Sequence, residues 1–373
     1  MKVTDKPVNR MVVKIGTSSL VSESGSIDPV KLVELGGQLA SVRDKGKEVI
    51  LVSSGAIRAG MERLGMTERP KTIPDQQATA SVGQSALMQR YTEVFSWFKI
   101  VPAQVLVTRD DFKDRLRYLN VRNTFNTLLR FGCLPIVNEN DTVAVDEIRF
   151  GENDTLSALV AACVGADLLV NLSDVDGLFD GDPRTNGDCR LIEEVRAITP
   201  EIEELAGGTR GLCGTGGMQS KIEAAKIAVN SGVRMVIANA QRANVIVDAA
   251  ECNKVGTLFR SKAVELSQRK RWIAYGARVK GSIVINEGAR KMICERGKSL
   301  LAAGITDCEG AFEVGDLVMV VDEGSKQIAR GLTNYASGEL ALIRGKHSGE
   351  IEKILGHKDF DEVIHRDNLV LGV

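Results

Sequence analysis

The sequence predicts an α/β protein in which a mostly parallel open sheet, sandwiched by helices, precedes a small β-rich domain. Short apolar runs alternate with segments of helical periodicity over the first two-thirds of the 373 residues. The stretch 260–278 then carries six Lys and Arg against one acid, and short β-type runs follow it to the end of the chain. We therefore expect a large α/β domain over 1–262, a basic linker over 263–278 and a small domain over 279–373.

Six apolar runs of the large domain are predicted as buried strands because they are short and bounded by turn residues. They span 11–15, 48–52, 101–107, 134–137, 168–172 and 235–238. The first helix is predicted to begin at Pro29, with Asp28 as its N-cap, and to end at Gly46. Further helices are predicted over 117–131, 155–164 and 218–231. Strands that alternate with helices in this way form a parallel sheet with helices on both faces.

In the small domain, strands are predicted over 282–285, 317–321, 327–332 and 369–373. This domain has 12 Lys and Arg against 15 Asp and Glu, and it lacks the dense aromatic residues on which bases stack. An RNA-binding function is therefore disfavoured, although it remains the alternative from a different class of protein.

The charge, the hydropathy and the histidine positions exclude several classes of protein and of active site. The formal net charge is −1, which excludes a protein that coats nucleic acid by bulk charge. No apolar run reaches the roughly 20 residues that span a bilayer, and the N-terminus has no apolar signal region, so we expect a cytoplasmic protein without a membrane partner. All three histidines lie at or after His347, so a site further upstream must act through carboxylates, lysines, backbone amides and a metal ion.

Small, polar or acidic residues follow four of the predicted strands. These segments are 14–19, 53–56, 138–141 and 173–177. Ligands of open parallel sheets bind beyond the carboxyl ends of the strands. One polar strand end is ordinary turn chemistry, but four together indicate a site.

A glycine-rich segment at 207–217, with six glycines, leads directly into the helix predicted from Met218. Backbone N–H groups at such a helix start favour an anion, and Lys221 in the first turns adds a full charge. The segment does not match a P-loop, because Met218 stands where that motif requires Lys, and it does not match GxGxxG. It is therefore interpreted as a phosphate-binding loop of another type, with a flexible lid as the alternative.

Lys14 lies within the apolar run MVVKI, where a charge is costly unless it is paired. A lysine on an edge strand could reach solvent instead. Gly16, Thr17 and Ser18 follow at once, however, and a lysine with a glycine and hydroxyls fits a nucleotide phosphate.

Two clusters of Asn and acids, 138–141 and 151–154, flank a hairpin-like segment. Amide and carboxylate groups can hold a substrate that carries both an ammonium and a carboxylate. A pair of Asx-turns is the alternative, and Asp154 can equally cap the helix predicted from Thr155.

These motifs together resemble the glutamate 5-kinases, a branch of the amino-acid kinase family that carries a C-terminal PUA domain. The matching segments are KIGTSSL at 14–20, SSGAIRAG at 53–60, NENDTVAVDEIRFGENDTLSALVA at 138–161, SDVDGLF at 173–179 and GTGGMQSK at 214–221. The resemblance covers the whole chain and implies the amino-acid kinase fold for 1–262 and a PUA-like barrel for 279–373. Glu152 and Ser220 depart from the pattern, which often has Asp and Thr at these two positions.

The resemblance also implies roles for individual residues. Lys14 and Lys221 would contact the transferring phosphoryl group, with Asp174 orienting the lysines. The ATP site would be lined by Lys14, Gly16, Ser173, Asp174, Thr215, Gly216, Gly217, Met218, Gln219, Ser220 and Lys221. L-Glutamate would be bound by Ser54, Gly55, Asp141 and Asn153.

The activity so implied is ATP-dependent, Mg²⁺-assisted phosphorylation of the glutamate γ-carboxylate, the first step of proline biosynthesis. A homo-oligomer and feedback inhibition by proline are further expectations from the resemblance. Relatives in the family that phosphorylate other carboxylates provide one alternative. A non-catalytic amino-acid sensor is another, but it would not need the two lysines.

Overall fold

A computed structural model of the chain describes residues 6–22, 25–144, 153–181, 188–207, 217–261, 273 and 279–372. The chain divides into two compact units. The larger unit comprises residues 1–111 and 119–264, and the smaller comprises 112–118 and 265–373. The predicted linker over 263–278 lies outside the described residues except for Ile273.

Eight strands of the larger unit form one sheet. They are β1 (Arg10–Ile15), β2 (Glu48–Ser53), β3 (Pro102–Val107), β4 (Leu134–Glu139), β5 (Leu168–Ser173), β6 (Glu194–Val195), β7 (Arg234–Asn239) and β8 (Thr257–Phe259). Their order across the sheet is β3-β4-β2-β1-β5-β7-β8-β6. Each neighbouring pair in the series β3-β4-β2-β1-β5-β7 is parallel, and β8 runs antiparallel to β7. The predicted mostly parallel sheet is thereby confirmed.

Helices accompany these strands along the chain. They are α1 (Thr17–Leu20), α2 (Pro29–Asp44), α3 (Ala56–Arg63), α4 (Ile73–Ser96), α5 (Arg109–Lys113), α6 (Arg115–Arg130), α7 (Asn153–Val164), α8 (Pro200–Gly207), α9 (Met218–Asn230) and α10 (Val245–Ala250). The sequence predicted four of these helices, α2, α6, α7 and α9, in whole or in part. Helix α2 begins as predicted, since the Asp28 side chain accepts a hydrogen bond from Val30 N. Helices α3 and α4 were not predicted.

Helices pack on both faces of the sheet, so residues of β1 are buried on either side of it. Met11, Val13 and Ile15 belong to a core shared with residues of α2 and α4. Successive side chains of a strand point to opposite faces. Lys14 therefore lies on the other face, where it meets α7. Because β1 is central in the sheet, the alternative of an edge-strand lysine is wrong.

The smaller unit contains a five-stranded sheet with its own core. Its strands are β9 (Val279–Ile285), β10 (Ile305–Gly310), β11 (Leu317–Asp322), β12 (Gln327–Leu332) and β13 (Leu369–Leu371), in the order β10-β9-β11-β12-β13. Its helices are α11 (Glu287–Arg296), α12 (Ser337–Ile343) and α13 (Ile351–Leu355). Ile283, Val318 and Leu340 are among the fully buried residues of this core. The predicted β-rich domain is confirmed, although β10 and the three helices were not predicted.

Within the described residues, none of the helices has both the length and the apolar character needed to cross a membrane.

Candidate active site

Polar residues gather where four neighbouring strands end. Strands β4, β2, β1 and β5 are adjacent in the sheet and parallel, so their carboxyl ends meet at one edge. Lys14, Ser53, Asn138 and Ser173 lie at these ends, and all four are buried. The sequence prediction that four polar strand ends form one site agrees with this placement.

Asp154 lies at the centre of the site and is completely buried. One of its oxygens lies 2.6 Å from Lys14 Nζ, and the other lies 3.2 Å from Lys221 Nζ. Ser220 Oγ donates a hydrogen bond to the carboxylate at 2.7 Å, and Asn171 Nδ2 donates another at 2.9 Å. Helix α7 thus provides one carboxylate that holds two lysines, one from β1 and one from α9.

The charges of this cluster depend on one another. Burial by itself would raise the pKa of Asp154, but the ammonium groups of Lys14 and Lys221 outweigh it and hold the pKa well below its usual range. Burial lowers the pKa of Lys221, and the negative charge of Asp154 partly offsets this effect. The ionised carboxylate therefore provides a counter-charge to both buried lysines.

The sequence analysis missed the contact that Asp154 makes with both lysines, because it offered Asp154 as a member of a substrate-binding cluster or as a helix cap. The expected role of Asp174 in orienting the lysines stays a prediction. Its carboxylate accepts a hydrogen bond from Ser173 Oγ at 3.0 Å, and its charge raises the pKa of Lys221 without being the main influence. Lys14 was the signal in the sequence for this contact, because a lysine within a buried apolar strand requires a partner of opposite charge.

The predicted nucleotide loop is described only in its last part. Thr215 and Gly216 lie outside the described residues. Gly217 precedes α9 in an extended conformation, and Met218, Gln219 and Ser220 form the first turn, ahead of Lys221. The backbone at Gly16 also passes close to the cluster, because a Cβ added there would lie 3.5 Å from Lys14 Nζ.

A second group of predicted residues forms a buried, hydrogen-bonded polar cluster beside the lysine cluster. Asn153 Nδ2 donates hydrogen bonds to Ser54 Oγ at 2.8 Å and to Asn138 Oδ1 at 2.9 Å. Gly55 has a φ of +111°, a left-handed conformation that glycine adopts without strain and that turns the chain from β2 into α3. Gly151 and Glu152, from the same predicted cluster, lie outside the described residues.

Asp141 is also buried at this edge of the sheet. Among the described residues, none donates a hydrogen bond to its Oδ1 atom. Burial raises the pKa of Asp141 to about 6. A carboxylate in this position is suited to a positively charged ligand, which would compensate for its lost hydration.

Comparison with known proteins identifies the family. The profile of the amino acid kinase family matches residues 9–239, and that of the PUA domain matches residues 281–355. The chain therefore belongs to the amino acid kinase family, whose members are phosphotransferases, and it carries a PUA domain after the catalytic one.

The curated relatives that the chain resembles are glutamate 5-kinases, a branch of this family. A glutamate 5-kinase of Caldanaerobacter subterraneus subsp. tengcongensis is 51% identical over 97% of this chain and 97% of its own. A glutamate 5-kinase of Carboxydothermus hydrogenoformans is 52% identical over 98% of both chains. Among solved structures, the UMP kinase of Bacillus anthracis covers 69% of this chain and 98% of its own, with a TM-score of 0.47 and 16% identity.

Proposed function

We propose that this protein transfers the γ-phosphoryl group of ATP to the γ-carboxylate of L-glutamate, forming L-glutamyl 5-phosphate and ADP, the first step of proline biosynthesis. The observation that carries the proposal is the buried Lys14–Asp154–Lys221 cluster. It lies between the end of a glycine-rich loop and a pocket of amide, hydroxyl and carboxylate groups. Near-identical length and about 50% identity to glutamate 5-kinases support the choice of substrate.

The reaction needs no general base, which agrees with a site built without histidine. A carboxylate with a pKa near 4.3 is already ionised at neutral pH. One of its oxygens attacks the γ-phosphorus, the bond from that phosphorus to the bridging oxygen breaks, and ADP leaves with the electron pair. What the protein must provide is alignment and positive charge around the phosphoryl oxygens.

Lys14 and Lys221 provide that charge in the proposed mechanism. Both are buried and both are held by the same carboxylate, so their positions are fixed before the substrates bind. Asp154 acts as a positioning residue, because it orients the lysines. The nucleotide side comprises Gly16, Ser173, Asp174 and the residues from Thr215 to Ser220.

L-Glutamate occupies the pocket formed by Ser54, Gly55, Asp141 and Asn153. Asp141 would pair with the ammonium group, since its buried carboxylate gains most from a positive partner. The Ser54 hydroxyl would contact a carboxylate of the substrate.

Mg²⁺ accompanies ATP in this proposal. The described part of the chain has no group of three or more His, Cys, Asp or Glu side chains that could hold a metal ion by themselves. Such a cage is not required, since Mg²⁺ is typically bound by one or two carboxylates together with substrate phosphates. The exposed Asp174 at the end of β5 would supply a carboxylate. When bound, the ion neutralises charge on the phosphate oxygens.

An ATP-dependent hydroxamate assay tests the proposal, because hydroxylamine traps an acyl phosphate. Glutamate, aspartate and N-acetylglutamate are compared in parallel. We expect a strong signal with glutamate and a much weaker one with the other two. A preference for N-acetylglutamate or aspartate would contradict the assignment of the acceptor.

Two further properties belong to the proposal by family resemblance alone. Proline would inhibit the reaction as a feedback inhibitor, and the chain would form a homo-oligomer. Inhibition by added proline in the same assay, and the mass in solution by light scattering, measure these two properties directly.

A further inference from the structure

Helix α4 contacts the residues of the proposed acceptor pocket through Gln84. The Gln84 Oε1 atom accepts a hydrogen bond of 2.9 Å from Asn138 Nδ2. Asn138 in turn accepts a hydrogen bond from Asn153, one of the residues proposed to bind glutamate. We propose that Gln84 is a positioning residue that fixes the orientation of this chain of amides and thereby sets the affinity for the acceptor. This inference rests on the proposed function, because it concerns the same pocket.

The first step of the argument is the direction of the Asn138 amide. An amide group has a donor nitrogen and an acceptor oxygen, which sit on opposite sides. Because Asn138 Nδ2 donates to Gln84, its Oδ1 atom faces the other way. There it accepts from Glu139 N at 2.9 Å and from Asn153 Nδ2 at 2.9 Å. A reversed amide would direct Nδ2 at these two donors, so Gln84 and the Glu139 N–H together select one orientation.

The second step carries this orientation to Ser54. Asn153 Nδ2 has two hydrogens, and it donates to both Asn138 Oδ1 and Ser54 Oγ. Ser54 Oγ is therefore an acceptor in this contact, so its own hydrogen points elsewhere and is available as a donor. A pocket that must hold a carboxylate needs such a donor.

The third step is how α4 comes to lie so close. A Cβ added to Gly83 would lie 1.8 Å from Ala56 O, and one added to Gly60 would lie 1.9 Å from Thr79 O. Helices α3 and α4 can thus approach only because these two positions are glycine. Since α3 starts directly after Gly55, the same close packing that holds Ser54 also places Gln84.

The same face of α4 makes a second contact with the strand end. Tyr91, seven residues after Gln84, is two turns further along the helix. Its hydroxyl lies 2.7 Å from Ser53 Oγ, and both residues are fully buried. Two polar side chains of one helix therefore support adjacent parts of the pocket.

The test compares Gln84→Met, which removes the acceptor at similar length, with Gln84→Glu, which keeps an oxygen for Asn138. Losing the acceptor leaves a buried donor unpaired, so Gln84→Met should raise KM for glutamate by about tenfold. We expect kcat and KM for ATP to stay near their original values, and Gln84→Glu to restore KM for glutamate. Gln89→Met is the matched control, because Gln89 is exposed on the same helix.

A second variant, Gln84→Asn, keeps the amide but shortens the side chain, so it tests the same contact if the methionine variant does not fold. The stabilisation of each variant by glutamate in thermal unfolding provides a readout besides turnover. Gln84→Met with an unchanged KM for glutamate, or with losses shared equally by kcat and KM for ATP, would overturn the role of Gln84 alone. A protein of the original sequence that forms no glutamyl hydroxamate would remove the proposed function and this inference together.

Discussion

Three buried charged side chains lie in contact in the site, and the Asp154 carboxylate contacts both lysines. Asp154 is fully buried and contacts Lys14 and Lys221 at opposite oxygens. Its two remaining contacts, Ser220 and Asn171, complete its hydrogen bonding. Both lysines therefore depend on Asp154 for their position and for a buried counter-charge.

Replacing Asp154 by Asn should reduce kcat by roughly 10²–10³, the range typical of losing preorganised electrostatic stabilisation. It should also destabilise the fold by about 3–5 kcal/mol, because two buried ammonium groups would lose their counter-charge. Steady-state kinetics and chemical denaturation measure these two effects separately. Asn171→Ala is the control, because it removes one hydrogen bond to Asp154 and leaves all three charges. A kcat for Asp154→Asn near that of the original protein would contradict the mechanism.

The raised pKa of Asp141 leads us to expect that KM for glutamate depends on pH. Burial raises its pKa to about 6, so the group is ionised at neutral pH and becomes protonated below that value. The neutral form cannot pair with an ammonium group. KM for glutamate should therefore rise as the pH falls from about 7 to about 5, approaching tenfold per pH unit. KM for ATP should change much less.

Asp141→Asn provides the comparison for this experiment. The variant should have a high KM for glutamate at every pH and should lack the rise below about pH 6. If the rise persists in the variant, another group causes it and Asp141 does not bind the ammonium.

At the scale of single elements, α4 shows what governs the approach of one helix to another. Its contact with α3 involves Gly60, Thr79 and Gly83, and at two of these positions any Cβ would meet backbone atoms. Backbone cannot move aside as the end of a flexible side chain can. The helix pair is therefore a rigid support, and the acceptor pocket is built on the residues at its start.

Gly83→Ala should destabilise the protein by about 1–3 kcal/mol, since the added methyl group overpacks a close backbone contact. Gly37→Ala in α2 is the matched control, because a Cβ there would lie at an ordinary 3.6 Å from Phe98. That change should be neutral or stabilising by about 1 kcal/mol, the gain in helix propensity. Urea denaturation of both variants measures the difference. Equal stability of the two would show that α3 and α4 can separate without cost.

At the scale of the whole molecule, the central strands were predictable because they are short apolar runs bounded by turn residues, which is a strong local signal. Strand β1 and its neighbours follow the predicted ranges closely. Helix α4 was missed because the buried positions of its first half, Thr79, Ala80 and Gly83, form no apolar stripe, although Leu87, Tyr91 and Val94 further along do repeat at helical spacing. The role of Asp154 was hidden for a different reason, because its partners lie on β1 and α9, far apart in sequence.

The division of the chain into two units predicts that the C-terminal part is dispensable for phosphoryl transfer. Every residue proposed for the site lies at or before Lys221, and the eight-stranded sheet ends with Phe259. The smaller unit has its own hydrophobic core, so it does not need the sheet for its packing. A shortened chain that ends at Ala263 should therefore still form glutamyl hydroxamate from ATP and glutamate.

Two shortened chains make this test decisive. Ile273 is fully buried, so a chain ending at Arg278 retains it, whereas the chain ending at Ala263 does not. Circular dichroism establishes whether each one folds, and the hydroxamate assay measures its activity. We expect both chains to fold and to keep a kcat within a few-fold of the full chain. If either one folds with native-like spectra yet produces no hydroxamate, the residues it lacks contribute directly to catalysis, and the separation of the two functions has to be abandoned.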